Sequence, residues 1–118
     1  MMKINSGIFR NSSIEILKNS SFRPTTSICR KSFFDTIGSL NEKSFLDIFA
    51  GSGIIGFEAA SRGAKNVTFV EINKRYLNKI ISNSKNFDYD QFNFMARDAL
   101  RYIKKSENFD IIFADPPY

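Results

Sequence analysis

The chain has 118 residues, 42% hydrophobic and 25% charged, which suits one folded domain with one modest core rather than a disordered chain. The net charge of +5 and pI of about 9.5 are compatible with a polyanionic partner such as nucleic acid. One cysteine and no histidine exclude an internal disulfide and argue against a metal cluster or a histidine-activated nucleophile, so no metal is expected.

No apolar run approaches the about 20 residues that span a bilayer, and the N-terminus lacks the apolar stretch of a secretion signal. The expectation is a cytoplasmic protein that does not enter membranes. Residues 3–17 read as short strands or a hairpin around Gly7. Residues 18–26 read as a loop, because Pro24 disfavours a helix through Arg23. Ser27 is placed as the cap of a helix running to about Ile37. In it Cys29, Phe33 and Ile37 recur every four residues, with Phe34 beside them and Gly38 as the stop. Residues 1–26 are read as an N-terminal extension and 27–118 as the main domain.

From residue 44 the pattern changes. Phe45–Phe49 is an apolar run ending in a glycine-rich turn, and a helix at about 54–62 ends at Gly63. Val67–Val70 is a second β-rich run. Residues 73–86 carry Leu77, Ile80, Ile81 and Ser84 at helical spacing. Phe92–Met95 is a third strand, 99–105 a short helix and Phe109–Ala114 a fourth strand. Apolar strands alternating with helices predict a doubly wound, mostly parallel α/β sheet covered on both faces. Ligands of such a sheet sit at the carboxyl ends of its strands.

Gly51-Ser52-Gly53-Ile54-Ile55-Gly56 fits GxGxxG and lies between a strand and a helix, the context that gives the pattern meaning. Glu71 follows Gly51 by 20 residues and ends the second strand, where a carboxylate can accept both hydroxyls of a ribose. That spacing leaves a nicotinamide dinucleotide and S-adenosylmethionine both open. Asp115-Pro116-Pro117-Tyr118, after the fourth strand, favours the second. The lone pair of an exocyclic base amine is delocalised into its ring. Acceptors at Asp115 and the Pro116 carbonyl can hold both amine hydrogens and pyramidalise the nitrogen, while the prolines stiffen the loop. Tyr118 can stack on a base that has left its helix.

These segments resemble the RsmD family of 16S rRNA (guanine-N2)-methyltransferases. The resemblance runs through Gly7-Ile8-Phe9-Arg10, Arg23-Pro24-Thr25-Thr26 with Arg30 and Phe34, and Leu46-Asp47-Ile48-Phe49-Ala50-Gly51-Ser52-Gly53. It continues through Gly56, Glu58, Ala59–Ala64, Val70-Glu71, Asp98-Ala99 and Phe109 to Tyr118. It implies a Rossmann-like methyltransferase fold, S-adenosylmethionine as cofactor and the small ribosomal subunit as partner of a monomeric enzyme. The family's glycine loop, Phe49, Ala50, Gly51, Ser52 and Gly53 with Gly56, would hold the methionine part of the cofactor, with Asp47 fixing the loop or the amino group. Glu71 and Ile72 would take the ribose, and Asp98 with Ala99 the adenine. Asp115, Pro116, Pro117 and Tyr118 would form the catalytic quartet. Arg10, Arg23, Thr25, Thr26 and Arg30 would meet RNA or the cofactor carboxylate.

The sequence departs from the family in two places. Lys31 stands where the family has Glu, and the family continues beyond the quartet, so the chain is expected to be a partial one with the core incomplete after the fourth strand. An adenine-N6 methyltransferase shares the glycine loop and quartet. An inactive piece of the rRNA enzyme is the alternative outside the enzymes.

Overall fold

The computed structural model describes residues 1–18, 26–105 and 108–116. Arg23, Thr25, Pro117 and Tyr118, singled out above, lie outside the described residues.

The hairpin around Gly7 forms from β1 (Met2–Lys3) and β2 (Ser13–Ile14), paired antiparallel. Gly7 is required by close approach, since a Cβ there would lie 2.0 Å from the Ser61 carbonyl oxygen. Ile4 and Ile14 are buried in the main core, so the hairpin is packed into the domain it precedes.

Helix α1 (Ser27–Ile37) is capped one residue earlier than its sequence suggests. The Thr26 hydroxyl accepts from the Cys29 N–H at 3.2 Å, and Ser27 is the first helical residue. Gly38, at φ +76°, stops the helix as expected. The buried face carries Arg30 and Phe34, with Phe33 and Ile37 half-buried and Cys29 exposed. The apolar stripe is therefore rotated from the one read off Cys29, because Arg30 turns inward to an acid.

The sheet is built from β3 (Ser44–Asp47), β4 (Asn66–Val70), β5 (Phe92–Met95) and β6 (Ile111–Phe113). Its order is β5-β4-β3-β6 and every pairing is parallel. Helices α2 (Ile54–Ser61), α3 (Lys74–Ser84) and α4 (Ala99–Lys105) join successive strands. Two predicted ends shift: Ile48 and Phe49 belong to the turn after β3, and Phe109 packs against the smaller buried cluster before β6 begins.

The register aligns Phe45, Val67, Phe92 and Ile111 across the strands on one face. Helices α1, α2 and α3 cover that face through Phe34, Phe57, Ala60, Leu77 and Ile80. Full burial of Phe34, Phe45, Phe57 and Phe69 makes this the main core, at about 1.5–3 kcal/mol for each side chain. On the opposite face a smaller cluster of Leu46, Ile48 and Val70 meets Ala99 of α4. Coverage there is partial among the described residues: Ile112 of β6 is 45% exposed.

Candidate active site at the carboxyl ends of the strands

Because all four strands run parallel, the segments that follow them gather at one edge of the sheet. These are the glycine loop after β3, Glu71–Asn73 after β4, Ala96–Asp98 after β5 and Ala114–Pro116 after β6. Strands β3 and β6 are neighbours, and the Ile48 N–H donates to the Phe113 carbonyl at 3.0 Å. Gly53 and Asp115 therefore sit at the same end, the condition that any shared chemistry requires.

The loop owes its shape to two glycines in the left-handed region, Gly51 at φ +55° and Gly53 at φ +83°. The Gly53 N–H closes the turn on the Ala50 carbonyl at 2.8 Å, and Phe57 begins the helix by donating to the Gly53 carbonyl. The Ser52 hydroxyl accepts from the Ile54 N–H. Gly56 serves packing: a Cβ there would lie 2.2 Å from the Phe69 ring, so its bare face lets α2 settle on β4. Ala50 is buried in the main core and Phe49 packs against the smaller cluster.

Glu71 ties two loops together. Its Oε1 accepts from the Gly51 N–H at 2.8 Å and its Oε2 from the Asn73 N–H at 2.9 Å. Each oxygen keeps a lone pair for a further donor. Asn73 also caps α3, accepting from the Arg75 and Tyr76 N–H groups. That backbone contact to Glu71 escaped the sequence reading, although Asn before a helical run is a recognisable cap signal.

Asp47 is 1% exposed and its Oδ2 has no hydrogen-bond partner. Burial pushes its carboxyl up to about 7. The Gly56 N–H opposes that rise, and the carboxylates of Glu71 and Asp115 add to it. Asp115 and Pro116 are exposed. Asp98 caps α4, accepting from the Leu100 N–H at 3.1 Å, while Ala99 is buried and Ile72 is 67% exposed. Ile72 and Asp98 share the mouth of a cleft of about 940 Å³ that runs down the sheet to Ser44 and Asn66. Neither the glycine loop nor Glu71 nor Asp115 lines it, so of the candidate residues only Ile72 and Asp98 border this cleft along the half-covered face.

Two predicted contact residues are engaged elsewhere. Arg30 is 2% exposed, and its Nε lies 3.3 Å from Glu58 Oε1. It also donates to the Lys3 carbonyl and to Asn5 Oδ1, so it is a buried anchor rather than an RNA or cofactor contact. Thr26 is the cap of α1. Lys31, the family departure, pairs with Asp35 at 2.7 Å on the exposed side of the helix. Arg10 is exposed on the turn of the N-terminal hairpin.

Three features suit a nucleoside cofactor with a cationic amino-acid end. The glycine loop offers backbone without side chains, Glu71 has spare acceptor capacity, and the buried Asp47 has an unpaired oxygen. The fold is a Rossmann-like α/β domain of the kind found in methyltransferases, with the loops that follow its strands on one edge of a parallel sheet.

Within that class the chain belongs to the family described as Conserved hypothetical protein 95, whose model matches residues 2–118. It is 32% identical to the ribosomal RNA small subunit methyltransferase D of Haemophilus influenzae, over 99% of this chain and 64% of that protein. The Escherichia coli protein yhhF, a proposed methyltransferase, superposes with a TM-score of 0.90 at 25% identity, over 99% of this chain and 64% of that one. SMU.776, a further proposed methyltransferase solved with SAH, matches with a TM-score of 0.62 at 27% identity, over 68% of this chain and 23% of that one. The chain spans just under two thirds of the length of these curated relatives.

Proposed function

We propose that the chain is the cofactor-binding and catalytic part of an S-adenosylmethionine-dependent methyltransferase acting on the exocyclic N2 of a guanine in 16S rRNA. The observation that carries this reading is the convergence of the Gly51–Gly53 loop, Glu71 and Asp115 at one end of the sheet. The relatives named for small-subunit rRNA methylation support the substrate class. The basic balance and the exposed Arg10 suit an RNA phosphate backbone. The protein works as a monomer in the cytoplasm, where ribosomes assemble.

When bound, the cofactor supplies an electrophilic methyl group. The backbone of Phe49–Gly53 and the carboxyl of Asp47 hold its methionine end. Glu71 accepts its ribose hydroxyls, keeping its own bonds to Gly51 and Asn73, so that loop and ligand are fixed together. Ile72, Asp98 and Ala99 receive the adenine. Asp115 and the Pro116 carbonyl accept the two hydrogens of the base amine and aim its lone pair. The amine proton becomes acidic only as the new bond forms, so no strong base is required beforehand. Tyr118, which with Pro117 lies outside the described residues, is the candidate to stack on the base.

The test is methyl transfer from labelled cofactor to unmodified 30S particles, 50S particles and duplex DNA. Transfer to 30S alone is expected, on a guanine. Asp115→Ala is expected to lower kcat by on the order of 10²-fold with cofactor affinity nearly kept. Labelled DNA adenine, or full activity in the Asp115→Ala chain, would contradict the reading.

A further inference from the structure

Asp47 closes β3 directly before the glycine loop, with one oxygen enclosed and unpaired. The charges that act on it are both acids, Glu71 beyond β4 and Asp115 beyond β6, the strands on either side of its own. The helices on the same face bring no free cation to it. Arg30 of α1 and Arg62 after α2 are held by Glu58, and Lys31 by Asp35. Lys79 of α3 is held by Glu15, while Lys74 and Arg75 are exposed. Among the described residues a carboxylate in this position has neither a counter-ion nor a full set of donors, whereas the neutral acid has less charge to solvate.

S-adenosylmethionine carries an ammonium, a carboxylate and a sulfonium, a net charge of about +1 where the demethylated product is neutral overall. Resting on the cofactor placement above, we propose that Asp47 distinguishes cofactor from product: it keeps a proton in the empty site and releases it to solvent more fully when the net-cationic cofactor seats than when the product does, which keeps the ammonium but has lost the sulfonium charge. No bond beyond the carboxyl O–H is broken, and the proton's donor and acceptor are Asp47 and water. The consequence is a cofactor-to-product affinity ratio that increases with pH. The raised carboxyl value agrees with this order of events.

The experiment is calorimetric titration of the full chain with S-adenosylmethionine and with S-adenosylhomocysteine from pH 5.5 to 8, in buffers of different ionisation heat. Cofactor affinity is expected to rise on the order of tenfold per pH unit up to about 7 and then level, with a proton released. Product affinity rises more shallowly, and Asp47→Asn flattens both curves. A carbon-13 titration of the Asp47 carboxyl in the unsubstituted chain supplies a second reading. Its midpoint is expected near neutrality in the empty chain, lower with product and lowest with cofactor. Equal pH profiles for the two ligands, or a carboxyl that titrates in the ordinary acid range, overturn the proposal while leaving the cofactor site standing. Failure of both ligands to bind removes the cofactor placement and the proposal with it.

Discussion

Glu58 and Asp47 are both sealed from solvent, at 0% and 1% exposure, yet their surroundings differ in kind. Glu58 accepts four hydrogen bonds: from Asn5 N–H and Arg30 on one oxygen, and from Ser6 N–H and Arg62 on the other. Those bonds fasten the N-terminal hairpin and α1 to α2. Asp47 has only the opposing influence of the Gly56 N–H, no partner for its Oδ2, and two further acids nearby. A buried charge with every donor supplied builds structure. A buried acid left short of partners at a loop edge marks where a ligand completes the set.

Removing the satisfied acid gives the largest effect. Glu58→Ala leaves Arg30 buried without its counter-ion and frees two backbone N–H groups, costing about 3–5 kcal/mol in urea unfolding. Arg30→Ala should be comparable and the double substitution much less than additive. A loss below about 1 kcal/mol would erase the contrast between the two acids.

The under-satisfied acid predicts the opposite sign with pH. Its folded value lies above the unfolded one, so protonation favours the folded state. That stability is fully present below about 4 and lost as pH rises to about 7. The shift from 3.8 to about 7 corresponds to at most about 4 kcal/mol in the empty chain. Asp47→Asn mimics the protonated acid, so this part of the pH dependence of unfolding should vanish. A profile identical to that of the unsubstituted chain would show that Asp47 titrates normally.

Gly56→Ala sharpens the assignment of the loop. The new Cβ would collide with Phe69 and cost about 1–3 kcal/mol of stability, with cofactor affinity lost only in proportion to folding. A fully stable Gly56→Ala chain that no longer binds cofactor would move Gly56 from packing to contact. The smallest effect belongs to Lys31→Ala. Its pair with Asp35 lies at 68% and 55% exposure, and no change in the unfolding midpoint is expected. The neighbouring Arg30 and Lys31 thus bracket the range of what a cation does on one helix.

The alternation of strands and helices was legible because the β-rich runs and the helical spacing in 73–86 are strong local signals. The candidate site was legible where its residues are ordered along the chain: the glycine loop after β3, the acid closing β4 and the Asp-Pro pair after β6. Arg30 was misread because its partner lies 28 positions away and nothing local separates an anchoring arginine from a surface one. The α1 cap was placed one residue late because Thr26 and Ser27 both offer a suitable hydroxyl and only backbone geometry chooses. Partial cover of the second sheet face is a property of packing, and strand composition is blind to which helix lies where.

The loops at the carboxyl ends are proposed to form a cofactor site. Amide chemical-shift mapping during titration with S-adenosylmethionine tests it directly. The shifts are predicted to concentrate at Gly51, Gly53, Glu71 and Asp98, with Ser44 and Asn66 at the other end of the strands unchanged. Shifts confined to Ser44 and Asn66, or none anywhere at millimolar ligand, would contradict it.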